Sequence, residues 1–160
     1  MLGNTYDNEV CSAARALEIA GERWSLLILR NAAFAGMTRF TDFQQSLNIA
    51  PNILTKRLES FVEDGLMTAS KGDSEHLEYH LTSKGLDFKA VIIALTEWGD
   101  KWSAPDGPPI IYEHEGCGGH IEQRLSCKTC KRPLNVKNIV ARKTKAMTIG
   151  KERIAKKIGG

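Results

Sequence analysis

Apolar residues recur at helical spacing through most of the first hundred positions, and one stretch alone departs from that period. In CSAARALEIAG (11–21), Ala14, Leu17 and Ile19 or Ala20 share a face, and Gly21 suits a helix stop. WSLLILRNAAFAG (24–36) is apolar nearly all round, with Trp24, Leu27, Ile28 and Phe34 on adjoining faces, which predicts a central helix buried on several sides. Phe40, Phe43 and Leu47 make one stripe, and Leu54, Leu58, Phe61 and Val62 make another. Only Leu47–Ala50 separates these two helices, and they can share a core only by crossing steeply, as in a helix-turn-helix.

The period then shortens. After Gly65 the segments LMTAS and HLEYHLT read as two strands joined by KGDSE with a turn at Gly72, and Leu77, Tyr79 and Leu81 are expected to point inward. A helix restarts at Thr82 or Ser83 and is expected to run unbroken to about Trp102. Its stripe of Phe88, Val91, Ile92, Leu95, Trp98 and Trp102 exceeds what one small domain needs to cover, so a second subunit is the expected cover. The predicted architecture is mainly α with a small β wing (α+β): a winged helix-turn-helix over residues 1–103, a Pro/Gly-rich linker (104–111), a Cys/His module (112–136) and a basic tail (137–160).

The second helix of the pair has the chemistry of a reader. Pro51 fits its first turn, where an N–H is not needed. Asn52, Thr55, Lys56 and Glu59 lie opposite its apolar stripe, and Asn, Thr and Lys near a helix N-terminus can reach base edges and phosphates in a major groove. Arg39, Lys56, Arg57 and Lys71 are the candidate phosphate contacts. Thr55 is open to two readings, a base contact or a solvated position. The segment Arg39–Lys84 carries five basic against seven acidic residues, so a winged helix that binds protein instead of DNA stays as the alternative.

Three ordered blocks, CSAARALEIAGERWSLLILR, RFTDFQQSLNIAPNILTKRLESFVEDGLM and EYHLTSKGLDFKAVIIALTEWGDKW, are similar to the HxlR-type regulators, a MarR-related branch of the winged-helix transcription factors. The resemblance covers about two-thirds of the chain. It implies a sequence-specific DNA-binding transcriptional regulator, a homodimer joined through the first and last helices of the domain, and a pseudo-palindromic double-stranded operator. It also implies a role for Cys11, which stands where many such regulators carry a thiol that senses oxidants or electrophiles. A Cys at a helix start faces the positive end of the dipole, with Arg15 one turn on. The plainer reading makes Cys11 a small apolar residue of the dimer interface, and the switch is then a small ligand held between the dimer helices. The chain departs from the family in its wing, which is about two residues shorter and has Glu75, His76 and Leu77 in place of a frequent Pro-Pro-Arg stretch.

Composition changes after Pro109. HEGCGGHIEQRLSCKTCKRPL holds two x-x-spaced pairs, His114/Cys117 and Cys127/Cys130, the arrangement by which a short ribbon fixes a tetrahedral zinc ion. His120 is the rival fourth ligand, and a metal-free thiol pair at Cys127/Cys130 is the other reading. The net charge of +3 conceals a division: from Lys137 onward eight Lys or Arg face one acid, while the rest of the chain carries fourteen against eighteen. That tail, with little core-forming capacity, is expected either to be solvated or to touch phosphates. No Gly-rich phosphate loop, nucleophile triad or carboxylate pair is present, so no enzymatic activity is expected. WSLLIL and AVIIAL are too short to span a bilayer, and the N-terminus lacks the pattern of a secretory signal; a cytoplasmic protein without membrane contact is the expectation.

Overall fold

The computed structural model describes residues 5–72 and 75–158. The chain forms two compact units, one of Met1–Lys89 with Thr144–Gly160 and the other of Ala90–Lys143. Among the described residues the fold is mainly helical, with one two-stranded antiparallel sheet.

In the first unit, α1 (Ser12–Ala20) ends at Gly21, whose N–H donates to the Leu17 carbonyl at 2.7 Å. Helix α2 (Ser25–Phe34) supplies the centre of the core, with Ile28 and Leu29 fully buried. It is less enclosed than its composition suggests, since Phe34 at its C-terminal end is exposed. Asn31 is buried polar on this helix: its Nδ2 donates to Ser46 Oγ at 3.0 Å, and its Oδ1 accepts from Arg30.

Helices α3 (Phe40–Leu47) and α4 (Pro51–Glu63) are the crossing pair. Phe43 on α3 and Leu54, Leu58 and Phe61 on α4 are fully buried, as their spacing requires. The turn between them is made by Asn48 in the left-handed region (φ 47°), a residue that tolerates it, and by the buried Ile49. Ala50 is extended, the conformation imposed on a residue before proline, and its carbonyl accepts the first helical bonds from Ile53 and Leu54.

Strands β1 (Met67–Lys71) and β2 (Leu77–Leu81) pair from Met67↔Leu81 to Lys71↔Leu77. Within the KGDSE connection, Asp73 and Ser74 lie outside the described residues; beside them the Gly72 N–H donates to the His76 carbonyl at 2.9 Å. The pairing extends to a short third edge, where the Tyr79 N–H donates to the Thr38 carbonyl at 2.8 Å and Arg39 bridges Glu78. Leu77 does not point inward as its alternation predicted: it is 49% exposed, because it sits at the wing's far end beyond the core that half-buries Tyr79 and Leu81.

The expected single helix after the wing is two, α5 (Ser83–Leu86) and α6 (Phe88–Ser103). Thr82 caps α5 through its hydroxyl, which accepts from the Gly85 N–H at 3.2 Å and donates to the Gly65 carbonyl at 2.7 Å. The Asp87 N–H is shared between the Gly85 and Ser83 carbonyls, which interrupts the regular ladder. Within the tail, residues 145–158 form α7 (Lys145–Ile158). Met147, Gly150 and Ile154 are its less exposed positions, and Gly150 lies so close to Val10 that a methyl group there would overlap the valine. No described helix is long and apolar enough to cross a membrane.

Candidate nucleic-acid interface and Cys/His module

The residues proposed to read DNA converge on the start of α4. Pro51, Asn52, Thr55 and Lys56 are exposed and Arg57 is half-buried, opposite the Leu54/Leu58/Phe61 face. The first turn carries no acid, so nothing on α4 offsets its positive end until Glu59. Thr55 spends its hydroxyl proton on the Pro51 carbonyl at 3.0 Å, leaving its oxygen as an acceptor.

Arg39 and Lys71 stand apart from that cluster. Arg39, the N-cap of α3, has its Nε 3.2 Å from Glu78 Oε1, and His80 Nε2 lies 3.4 Å from the other oxygen of the same carboxylate. Arg39 is therefore committed to the wing, a pairing that its distance in sequence from Glu78 concealed. Lys71 is exposed at the end of β1. Burial raises the pKa of Tyr79 above 10.0, and the negative charge of Glu59 adds to the rise.

Cys11 is exposed at the N-cap of α1, with extended backbone and no side-chain bond to the helix. Arg15 does not serve it. The guanidinium pairs with Glu18 at 2.9 Å and donates to the Tyr6 carbonyl at 2.6 Å, turned to the N-terminal segment.

In the second unit, His114 Nδ1 lies 3.4 Å from Cys117 Sγ, and Cys127 and Cys130 are joined by a side-chain hydrogen bond. The Cys130 and Thr129 N–H groups donate to the Cys127 sulfur and hold its pKa below the usual thiol value. His120 sits across from Glu113 at 3.8 Å, away from the thiols' bonds. The structure brings the ligand types together in pairs. Among the described residues, no group of three or more His, Cys, Asp or Glu is placed to hold an ion.

Two crossing helices joined by a tight turn, followed by a wing, define a winged helix-turn-helix. Residues 19–107 match the HxlR-like helix-turn-helix family, and the chain belongs to it. It is similar to the uncharacterized HTH-type transcriptional regulator Rv3095 of Mycobacterium tuberculosis, 41% identical over 141 residues, covering 86% of this chain and 87% of the relative. Residues 1–107 are too few to supply that coverage, so the likeness runs into the Cys/His module. Among solved structures, PA1607 is 34% identical with a TM-score of 0.77 over 86% of this chain and 98% of its own. PA1374 from Pseudomonas aeruginosa is 32% identical with a TM-score of 0.60, over 89% and 99%. The protein is a DNA-binding transcriptional regulator of the HxlR-like family.

Proposed function

We propose that the regulator acts as a homodimer that lays α4 of each copy into successive major grooves of a pseudo-palindromic operator. The observation that carries this reading is the exposed, acid-free N-terminal turn of α4 with Asn52, Lys56 and Arg57 beside it. Asn52 supplies donors and acceptors for base edges, while Lys56 and Arg57 supply charge for phosphates. The second copy is called for by α6, where Val91, Leu95, Trp98 and Trp102 form an exposed stripe along one side of the helix. Two-fold pairing sets two reading helices about 34 Å apart, one turn of DNA, or a multiple of it.

The test is Lys56→Glu with Arg57→Glu, titrated by fluorescence anisotropy against a duplex selected from random sequence by the wild type. A dimer loses four phosphate contacts, two per copy; at about 1 kcal/mol or more each they predict at least a roughly 500-fold loss of affinity, and a salt slope shallower by about four. Undiminished binding by the folded variant refutes the assignment of α4. It also favours the reading in which the winged helix binds protein.

The exposure of Cys11 favours a second reading, thiol control. Its neighbour Val10 is the residue against which Gly150 of α7 rests. Oxidation or alkylation of Cys11 thus alters the chain one residue from that contact and at the start of a helix expected in the dimer interface.

A further inference from the structure

The Cys/His module is a structural repeat with a constant offset of thirteen residues, a relation hidden in the amino-acid sequence. In the first hairpin the His114 N–H donates to the Gly119 carbonyl (2.8 Å), Gly118 to His114 (2.8 Å) and Ile121 to Tyr112 (2.8 Å). In the second, Cys127 donates to Arg132 (3.0 Å), Lys131 to Cys127 (2.9 Å) and Leu134 to Leu125 (2.9 Å). The bridges Glu113↔His120 and Ser126↔Pro133 correspond as well, and so do the left-handed residues Gly118 (φ 67°) and Lys131 (φ 59°). Lys131 holds without a glycine's freedom the conformation that Gly118 adopts easily. That cost implies that the turn itself is required.

Superimposed by this offset, His114 falls on Cys127 and Cys117 on Cys130, whereas His120 falls on Pro133, which offers no donor atom. We infer that the two hairpins close on one tetrahedral divalent cation of the zinc class, ligated by His114, Cys117, Cys127 and Cys130, and that His120 takes no part. The donor set, three thiols and one imidazole, is that of a closed structural zinc site. Each hairpin already holds its pair on one turn, with N–H groups of the second aimed at the Cys127 sulfur. Three thiolates outweigh a divalent ion by one charge, and the second hairpin brings Lys128, Lys131 and Arg132 to offset it.

The separation of the two pairs has a physical cause. From Glu113 to Lys143 every residue is exposed except Cys127, which is half-buried. No apolar core draws one hairpin onto the other, and the ion stands in its place. This inference is independent of how α4 reads DNA, and its test does not use DNA.

The full-length chain, purified under reductant and without chelator, is expected to carry about one zinc per chain by elemental analysis, matching a single four-ligand site. Cobalt(II) replacing zinc should give tetrahedral d–d bands and thiolate-to-cobalt charge transfer. Cys117→Ser and Cys127→Ser should each lose the metal, His114→Ala should weaken it at least about 10-fold, and His120→Ala should retain it. His114→Cys completes the repeat: it should keep the metal and raise the charge-transfer absorbance by about one-third, since four thiolates replace three. Metal-free wild type that also fails to take up cobalt overturns the site. Loss of metal in His120→Ala with retention in His114→Ala overturns the ligand assignment.

Discussion

Gly85→Ala sets two effects of opposite sign against each other at the junction that holds the wing. Gly85 lies in α5 with ordinary helical backbone, so helix propensity alone predicts that alanine stabilises the protein by up to about 1 kcal/mol. The surroundings predict the reverse. A methyl group at this position would press into the Leu66 carbonyl oxygen, well inside van der Waals contact, and would stand 2.9 Å from Leu81 Cδ2. The carbonyl cannot retreat freely, since it accepts the Thr82 N–H at 2.9 Å, and the Thr82 hydroxyl holds the neighbouring Gly65 carbonyl at 2.7 Å. Overpacking costs about 1–3 kcal/mol, and each hydrogen bond lost on shifting α5 costs about 1 kcal/mol more. After subtracting the propensity gain, the net loss is about 1–4 kcal/mol. For a unit near 100 residues that lowers Tm by at least about 4 °C, read by circular dichroism at fixed protein concentration. A Tm equal to or above that of the wild type would show that α5 does not rest on the end of α4 and the start of β1, and the account of the wing's attachment would fail.

Leu95→Glu combined with Trp98→Glu should convert a dimer to a folded monomer in sedimentation at micromolar concentration, because like charges would meet across a two-fold interface; an intact dimer would place the interface elsewhere. Cys11→Ser should hold the selected duplex after addition of diamide or a quinone while the wild type releases it, with zinc content followed in both so that damage to the hairpins is not read as sensing. Equal release by the two proteins, or by neither, removes Cys11 from control and brings forward a small ligand between the dimer helices.

Periodicity made the winged helix legible. Phe43, Leu54, Leu58 and Phe61 are fully buried where their spacing placed them, while Val62, of the same stripe, is 36% exposed at its edge. Several of the departures share a cause: they depended on contacts between segments remote in the chain. Leu77 alternates correctly with Tyr79 and Leu81, but alternation does not say where the supporting core ends. The third edge of the wing at Thr38 and Arg39 has no strand pattern of its own, because two backbone positions suffice to pair with β2. Helix α7 was obscured by its charge. Its less exposed positions Met147, Gly150 and Ile154 are few, and one is a glycine, chosen for closeness to Val10 over apolar bulk.

The same long-range contacts bear on where the protein's positive charge can meet DNA. Arg39 is paired with Glu78, and the wing adds Glu75, so Lys71 at the end of β1 is offset by acidic neighbours on the hairpin. Lys56 and Arg57 are left as the cations on α4, the helix proposed to read DNA, fewer than phosphate-driven binding ordinarily uses. Helix α7 belongs to the same compact unit as the winged helix, and it brings Lys145, Lys151, Arg153, Lys156 and Lys157 against the single acid Glu152. With Met147, Gly150 and Ile154 as its less exposed positions, those five cations lie among the exposed ones. A wing that carries Glu75, His76 and Leu77 is thus joined, within one folding unit, to a helix whose exposed positions hold five cations against one acid.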